Sequence, residues 1–234
     1  MARIKRLEVP GFWPIEKKTK KYTVATMPGP HSMKNSLTIA VVIRDVLKHA
    51  ETLKEVREIL NTGTVKVDGI TRSKPGFPAG LMDVVTIGEE NYRLLPGKHG
   101  LYLKAVDSKE SVFTLKKITN KTTIKKGLTQ LSFHDGSTLV TDGRYNTGDA
   151  AVFDIKSRKV KDVIKQEKGA TIIVTKGNNM GAVGTLEEIK TVKSPEPNVA
   201  TILADGRKIT LPLDYVFPVG RPTPVISLGE EDEQ

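Results

Sequence analysis

The chain has 234 residues, with 37 Lys and Arg against 27 Asp and Glu, a net charge of +10 and no cysteine. That length allows about two to four small domains, the charge points to an acidic polymer as partner, and the missing cysteines exclude disulfides and thiolate metal sites. No apolar run approaches the roughly 20 residues that span a bilayer, and no apolar signal core follows the N-terminal basic residues, so a soluble, intracellular protein without a membrane partner is expected. Aromatic residues make up only 5%, which argues against a stacking platform for single strands. Folded RNA, read by shape and phosphate geometry, fits better.

Residues 1–36 carry a net charge of +6. Arg3, Lys5, Arg6, Lys17, Lys18, Lys20, Lys21 and Lys34 supply the positive charge, and Pro10, Pro14, Pro28, Gly29 and Pro30 interrupt regular structure. Such an arm is expected to order only against a polyanion. Trp13, the only tryptophan, is a candidate to stack on a base, although an apolar anchor is the favoured reading. His31 is a candidate phosphate contact, with a plain turn residue slightly favoured.

Residues 37–97 are neutral overall. Ile39, Val42, Ile43, Val46, Leu47 and Ala50 recur at helical spacing, which places Arg44 and Lys48 together on the opposite face. Thr52 and Glu55 form a capping box ahead of a second helix with Leu53, Val56, Ile59 and Leu60 on one side. Lys54 and Arg57 face outward, and Gly63 is a C-terminal cap. Val65 and Val67, the Asp68-Gly69 turn and Ile70 predict a hairpin from which Arg72 and Lys74 extend. Being neutral, this segment can bind RNA only by segregating its cations to one face.

Residues 98–168 carry a net charge of +7. Alternation at Leu101 to Ala105, Val112 to Leu115, Leu128 to Phe133 and Val152 to Ile155, with turn signals at Asp135-Gly136 and Asp142-Gly143, predicts a small β barrel or sandwich. Its lysines, among them Lys116-Lys117, Lys121, Lys125-Lys126, Lys161 and Lys165, serve edge protection or RNA contact equally well. In residues 169–218, Gly169, Gly177, Gly181 and Gly184 frame a β–β turn. Lys176, Asn178 and Asn179 occupy its exposed loop, where glycine permits close approach of an RNA backbone. Val199 to Leu203, the Asp205-Gly206 turn and Ile209 to Leu211 complete a second β unit, with Pro195 and Pro197 in a linking loop. Residues 219–234 form an acidic tail.

Several of these motifs match known families. Ile43-Arg44, Val46-Leu47, Ala50, Thr52, Glu55-Val56, Ile59-Leu60, Gly63, Val65, Val67-Asp68-Gly69, Arg72, Phe77-Pro78, Gly80 and Asp83-Val84-Val85 together resemble the S-four-type RNA-binding fold. Lys5-Arg6-Leu7, Pro10, Trp13, Pro28-Gly29-Pro30-His31 and Ser36-Leu37 extend the likeness to the S-four-e family of archaeal and eukaryotic small-subunit ribosomal proteins. Gly11-Phe12 departs from the Lys-His pair common there. The Gly169–Leu186 stretch resembles a KOW motif, with Ala170 and Ala182 departing from its usual acidic and basic residues. The compact length looks archaeal more than eukaryotic.

The resemblance implies an α+β multidomain protein. An S-four-type two-helix-plus-hairpin module would be followed by mostly antiparallel β domains, the last an SH3-like KOW barrel. It implies a structural ribosomal constituent whose partners are small-subunit rRNA and neighbouring ribosomal proteins. The rival reading is a free-standing RNA chaperone or translation regulator. No phosphate-cradling G-x-x-x-x-G-K-[ST] loop occurs, and the four histidines lack ligand spacing. No enzyme, cofactor, metal or small-molecule substrate is therefore expected.

Overall fold

The computed structural model describes residues 3–143, 145–192, 196–204 and 206–229. Asp205, Pro195, the side chain of Lys126 and the tail from residue 230 onward lie outside them. The protein is mostly antiparallel β with few helices. It divides into two compact units, residues 1–95 with 99–112, and residues 96–98 with 113–234.

The first unit starts with β1 (Arg3–Lys5), paired antiparallel with β2 (Tyr22–Val24). The N-terminal segment, expected to lack structure on its own, is thus folded into this unit. Val9, Trp13 and Val24 are buried, and each gives the segment apolar area that only packing can remove from water. β3 (Ser36–Thr38) leads into α1 (Ile39–Val41), whose N-cap Thr38 accepts from the Val41 N–H. The helix then widens into a π-helical turn, Val42–Val46, with Leu47 N–H donating to the Val42 carbonyl at 2.9 Å. It stops there, because Lys48 adopts a left-handed φ of 55°. Lys48 therefore lies beyond the helix and does not share a face with Arg44, as the spacing had suggested.

The second helix, α2 (Leu53–Asn61), has the expected capping box: Thr52 Oγ1 accepts from Glu55 N–H, and Glu55 returns to the backbone N–H of Thr52. The Glu51 N–H, which donates to the Glu55 carboxylate at 2.8 Å, together with the Thr52 hydroxyl and N–H, favours the charged form and holds the Glu55 pKa below its ordinary value. Val56 and Leu60 are buried, each such side chain contributing about 1.5–3 kcal/mol. β4 (Val65–Val67) and β5 (Ile70–Thr71) form a hairpin across Asp68-Gly69. Both turn residues have positive φ, 47° and 72°, as a type I′ turn requires. Asp68 also accepts from the Val84 N–H at 3.0 Å, which ties the turn to the next strand. β6 (Pro78–Gly80) pairs with β3. β7 (Val84–Ile87), β8 (Glu90–Gly97) and β9 (Gly100–Ala105) complete a five-stranded sheet in the order β5-β4-β7-β8-β9. Residues 99–112, expected to open the central β segment, thus belong to the first unit because β9 lies beside β8.

The second unit contains two five-stranded antiparallel sheets. β10 (Phe113–Thr123), β11 (Thr129–Phe133), β12 (Thr138–Thr141), β13 (Ala150–Asp154) and β14 (Val160–Ile164) run in the order β12-β11-β10-β13-β14. Ile118, Leu131, Phe133 and Ala151 form their core. β15 (Thr171–Val174), β16 (Val183–Lys190), β17 (Val199–Ala204), β18 (Arg207–Pro212) and β19 (Val216–Gly220) run in the order β18-β17-β16-β15-β19. Ile172, Val174, Leu186, Ala200, Ile202 and Val216 fill that core. β17 alternates, burying Ala200, Ile202 and Ala204 while the residues between them are more open, as in a half-covered antiparallel sheet, whereas β15 buries Ile172, Ile173 and Val174 in succession.

Candidate nucleic-acid interface

The β1–β2 pairing sets Lys5 opposite Tyr22 and so brings Lys5 to the loop that carries Lys17, Lys18, Lys20 and Lys21. Together with Leu7 and Thr19 these lysines line a concave recess of about 460 Å³. All five lysines are exposed. Lys5 pairs with Glu8 at 3.5 Å, and Lys21 lies over the Tyr22 ring at 5.4 Å. Like charges held this close repel one another, and a polyanion entering the recess relieves that repulsion while releasing counterions. Arg3 is exposed on the same strand, and Lys34 is exposed in the turn before β3.

Three candidate residues are inside the protein. Arg6 is 5% exposed. It donates to the Glu16 carbonyl at 2.6 Å and to Thr19 Oγ1 at 3.1 Å, with Asp45 3.8 Å away. Its guanidinium holds the lysine-bearing loop in place and presents no fork to a phosphate. Trp13, 3% exposed, is an anchor with no face to offer a base. His31 is buried with its Nε2 3.1 Å from Asp83 Oδ2. The same carboxylate accepts the Gly80 N–H at 2.9 Å. The His31 ring also packs directly on Gly80, where a side-chain carbon would collide with it. His31 is a tie between the entry turn and β6, not a surface group.

The helical cations divide in the same way. Lys54 and Arg57 are exposed on α2, and Lys48 and Lys74 are exposed in loops. Arg44 is half-buried, donating to Asp45 at 2.6 Å and reaching Thr23 at 3.5 Å. Arg72 is half-buried over the Phe77 ring at 4.1 Å, which keeps its charge near the surface on an aromatic support. In the second unit, Lys176, Asn178 and Asn179 are exposed in the loop between β15 and β16. Gly177 and Gly181, both at φ 87°, make that loop compact: Gly181 N–H returns to the Val174 carbonyl at 2.9 Å.

Sequence reasoning had no signal for the inward cations. Arg93, in β8, is fully buried. It bonds the Glu110 carbonyl at 3.0 Å, and its Nε lies 3.3 Å from the Glu110 carboxylate. Burial pushes its pKa down, and Glu110, Asp68 and Asp83 act against that. Lys116 donates to Asp135 at 2.6 Å. Burial tends to raise the Asp135 pKa, but Lys116 and the Ser137 hydrogen bonds outweigh it and hold the carboxyl below its usual range. Lys117 donates to the Val216 and Asp214 carbonyls at 2.6 and 3.1 Å. Burial pushes its pKa down to about 8, with nearby Asp214 opposing the shift and Lys176 adding to it. Among the described residues no group of three or more His, Asp or Glu could hold a metal ion, and no helix is long and apolar enough to cross a membrane.

The comparisons place this mostly antiparallel β chain among ribosomal proteins. The model of ribosomal family S4e matches residues 88–160, and that of the RS4NT (NUC023) domain matches residues 2–34. Small ribosomal subunit protein eS4 of Methanothermobacter thermautotrophicus is 42% identical over 96% of this chain and 95% of its own. The eS4 of Methanosphaera stadtmanae is 41% identical over the same shares. The crystal structure of the 30S ribosomal protein S4e from Thermoplasma acidophilum superposes with a TM-score of 0.71 at 28% identity, covering 80% of this chain and 96% of that one. The chain belongs to the S4e family of ribosomal proteins. That family is structural, and the chain is not an enzyme.

Proposed function

We infer that this protein is a structural constituent of the small ribosomal subunit, in the cytoplasm, where it binds and stabilises folded small-subunit rRNA. The observation that carries the reading is the lysine-lined recess on a folded N-terminal segment, in a chain whose relatives are small-subunit proteins along nearly their whole length. Neighbouring ribosomal proteins are its other partners.

The working parts are the basic segment 1–36, an S-four-type RNA-binding module over 37–97, a central β segment over 98–168, whose opening residues 99–112 lie within the first compact unit, and a KOW-type SH3-like barrel over 169–218, followed by the tail. The outward cations are the contacts: Arg3, Lys5, Lys17, Lys18, Lys20, Lys21, Lys34, Lys48, Lys54, Arg57 and Lys74, with Lys176, Asn178 and Asn179 at the glycine-framed loop. Each phosphate contact is modest alone. Linked in one chain, each raises the effective concentration of the next.

Sedimentation of lysate through a high-salt sucrose gradient tests the assignment. The protein is expected with small subunits; recovery at the top of the gradient would indicate a transient RNA-binding factor. Lys54→Glu with Arg57→Glu is expected to lower affinity for small-subunit rRNA and the salt slope by about two, with the fold intact. Unchanged affinity would remove the α2 face from the interface.

A further inference from the structure

Strand β10 changes character at its bulge. From Phe113 to Lys117 it pairs with β13, and Leu115 and Ile118 are buried. Register with β11 shifts between Ile118 and Asn120. Beyond that point β10 pairs with β11 alone, and all five side chains from Thr119 to Thr123 are exposed. A strand in a covered sheet hides alternate side chains. Among the described residues neither face is covered here, and one backbone edge of Thr119–Thr123 has no strand neighbour.

The chemistry of this stretch is one-sided. Residues 111–134 contain five lysines and no Asp or Glu. Before the bulge, Lys116 and Lys117 are committed to Asp135 and to backbone carbonyls. After it, Lys121 and Lys125 are exposed. Lys121 reaches the Tyr145 carbonyl at 3.0 Å, and neither lysine makes an ion pair among the described residues. Thr119, Asn120, Thr122 and Thr123 surround them with hydroxyl and amide groups. Large apolar side chains, which a protein strand docking on an edge uses to fill pockets, are absent from Thr119–Thr123. Phosphate oxygens, by contrast, accept bonds from lysine, hydroxyl, amide and backbone N–H alike.

We propose that the edge Thr119–Thr123 and the Lys125 turn form a further RNA-contacting surface, which takes the phosphodiester backbone of folded small-subunit RNA. The inference rests on the rRNA-binding reading above and adds a site to it. Because the chain has no cysteine, Thr123→Cys carries a single photo-crosslinker in the full-length protein assembled into small subunits. Crosslinks to small-subunit rRNA are expected. Crosslinks to ribosomal protein alone would overturn the proposal and identify the edge as a protein-docking strand. In parallel, Lys121→Glu with Lys125→Glu is expected to lower the salt slope of rRNA binding by about two while the melting temperature stays unchanged. If the wild-type protein binds rRNA and this variant binds with the same slope, the edge is not a contact and only this proposal fails. If the wild-type protein does not bind small-subunit rRNA at all, both readings fall together.

Discussion

The N-terminal segment and strand β10 are both lysine-rich, and each splits its cations by a different device. In the segment, Arg6 is drawn inward by loop carbonyls while Lys17, Lys18, Lys20 and Lys21 stay out. No repeat in the sequence marks which residue goes where, because the deciding partners, Glu16 and Asp45, are distant in the chain. In β10 the split follows the ladder. Lysines before the bulge are held by Asp135 and by carbonyls, and those after it are exposed. Charge density alone therefore overstates the surface available to RNA; the positions of partners and bulges decide it.

Breaking the inward set should cost stability and leave rRNA contacts in place. The largest effect is expected at Arg93→Ala, which strands the Glu110 carboxylate beside a vacated, fully buried site. It should cost about 3–5 kcal/mol, as loss of one partner of a buried ion pair does, and thermal melting reads it. Lys117 sharpens the contrast through pH. Its folded pKa of about 8 lies below the ordinary lysine value of 10.5, so the unfolded chain binds more protons between those two values. Wild-type stability should therefore rise as pH increases from 8 toward 10.5. The Lys117→Met variant should lack that rise when chemical unfolding is followed across the range. The smallest effect is at Thr52→Ala, which removes an exposed capping box and should cost about 1 kcal/mol, read by the urea midpoint.

The features legible in the sequence were those that local rules fix. The capping box at Thr52 and Glu55, the Asp68-Gly69 hairpin and the strands around Leu115, Leu131 and Ile172 depend on neighbours a few residues away. The features that were not legible depend on distant contacts. The segment's prolines and lysines suggest disorder, but Val9 and Val24 join a core around Trp13, whose anchoring the sequence did favour, and His31 finds Asp83. The first helix also ends early: the periodic pattern runs on to Ala50, yet Lys48 turns left-handed and closes it. Of the expected interface, the exposed lysines and the Lys176–Asn179 loop sit on the surface. Arg6, Trp13 and His31 do not, because burial depends on what the fold brings against them.

The open edge of β10 bears on the protein before it joins any particle. A bare strand edge invites a second molecule to add to it, and free copies made in excess of RNA would otherwise stack into aggregates. Lys121 and Lys125 set like charges against each other whenever two such edges approach. The two lysines of the proposed RNA contact thus also oppose edge-to-edge pairing of two free copies.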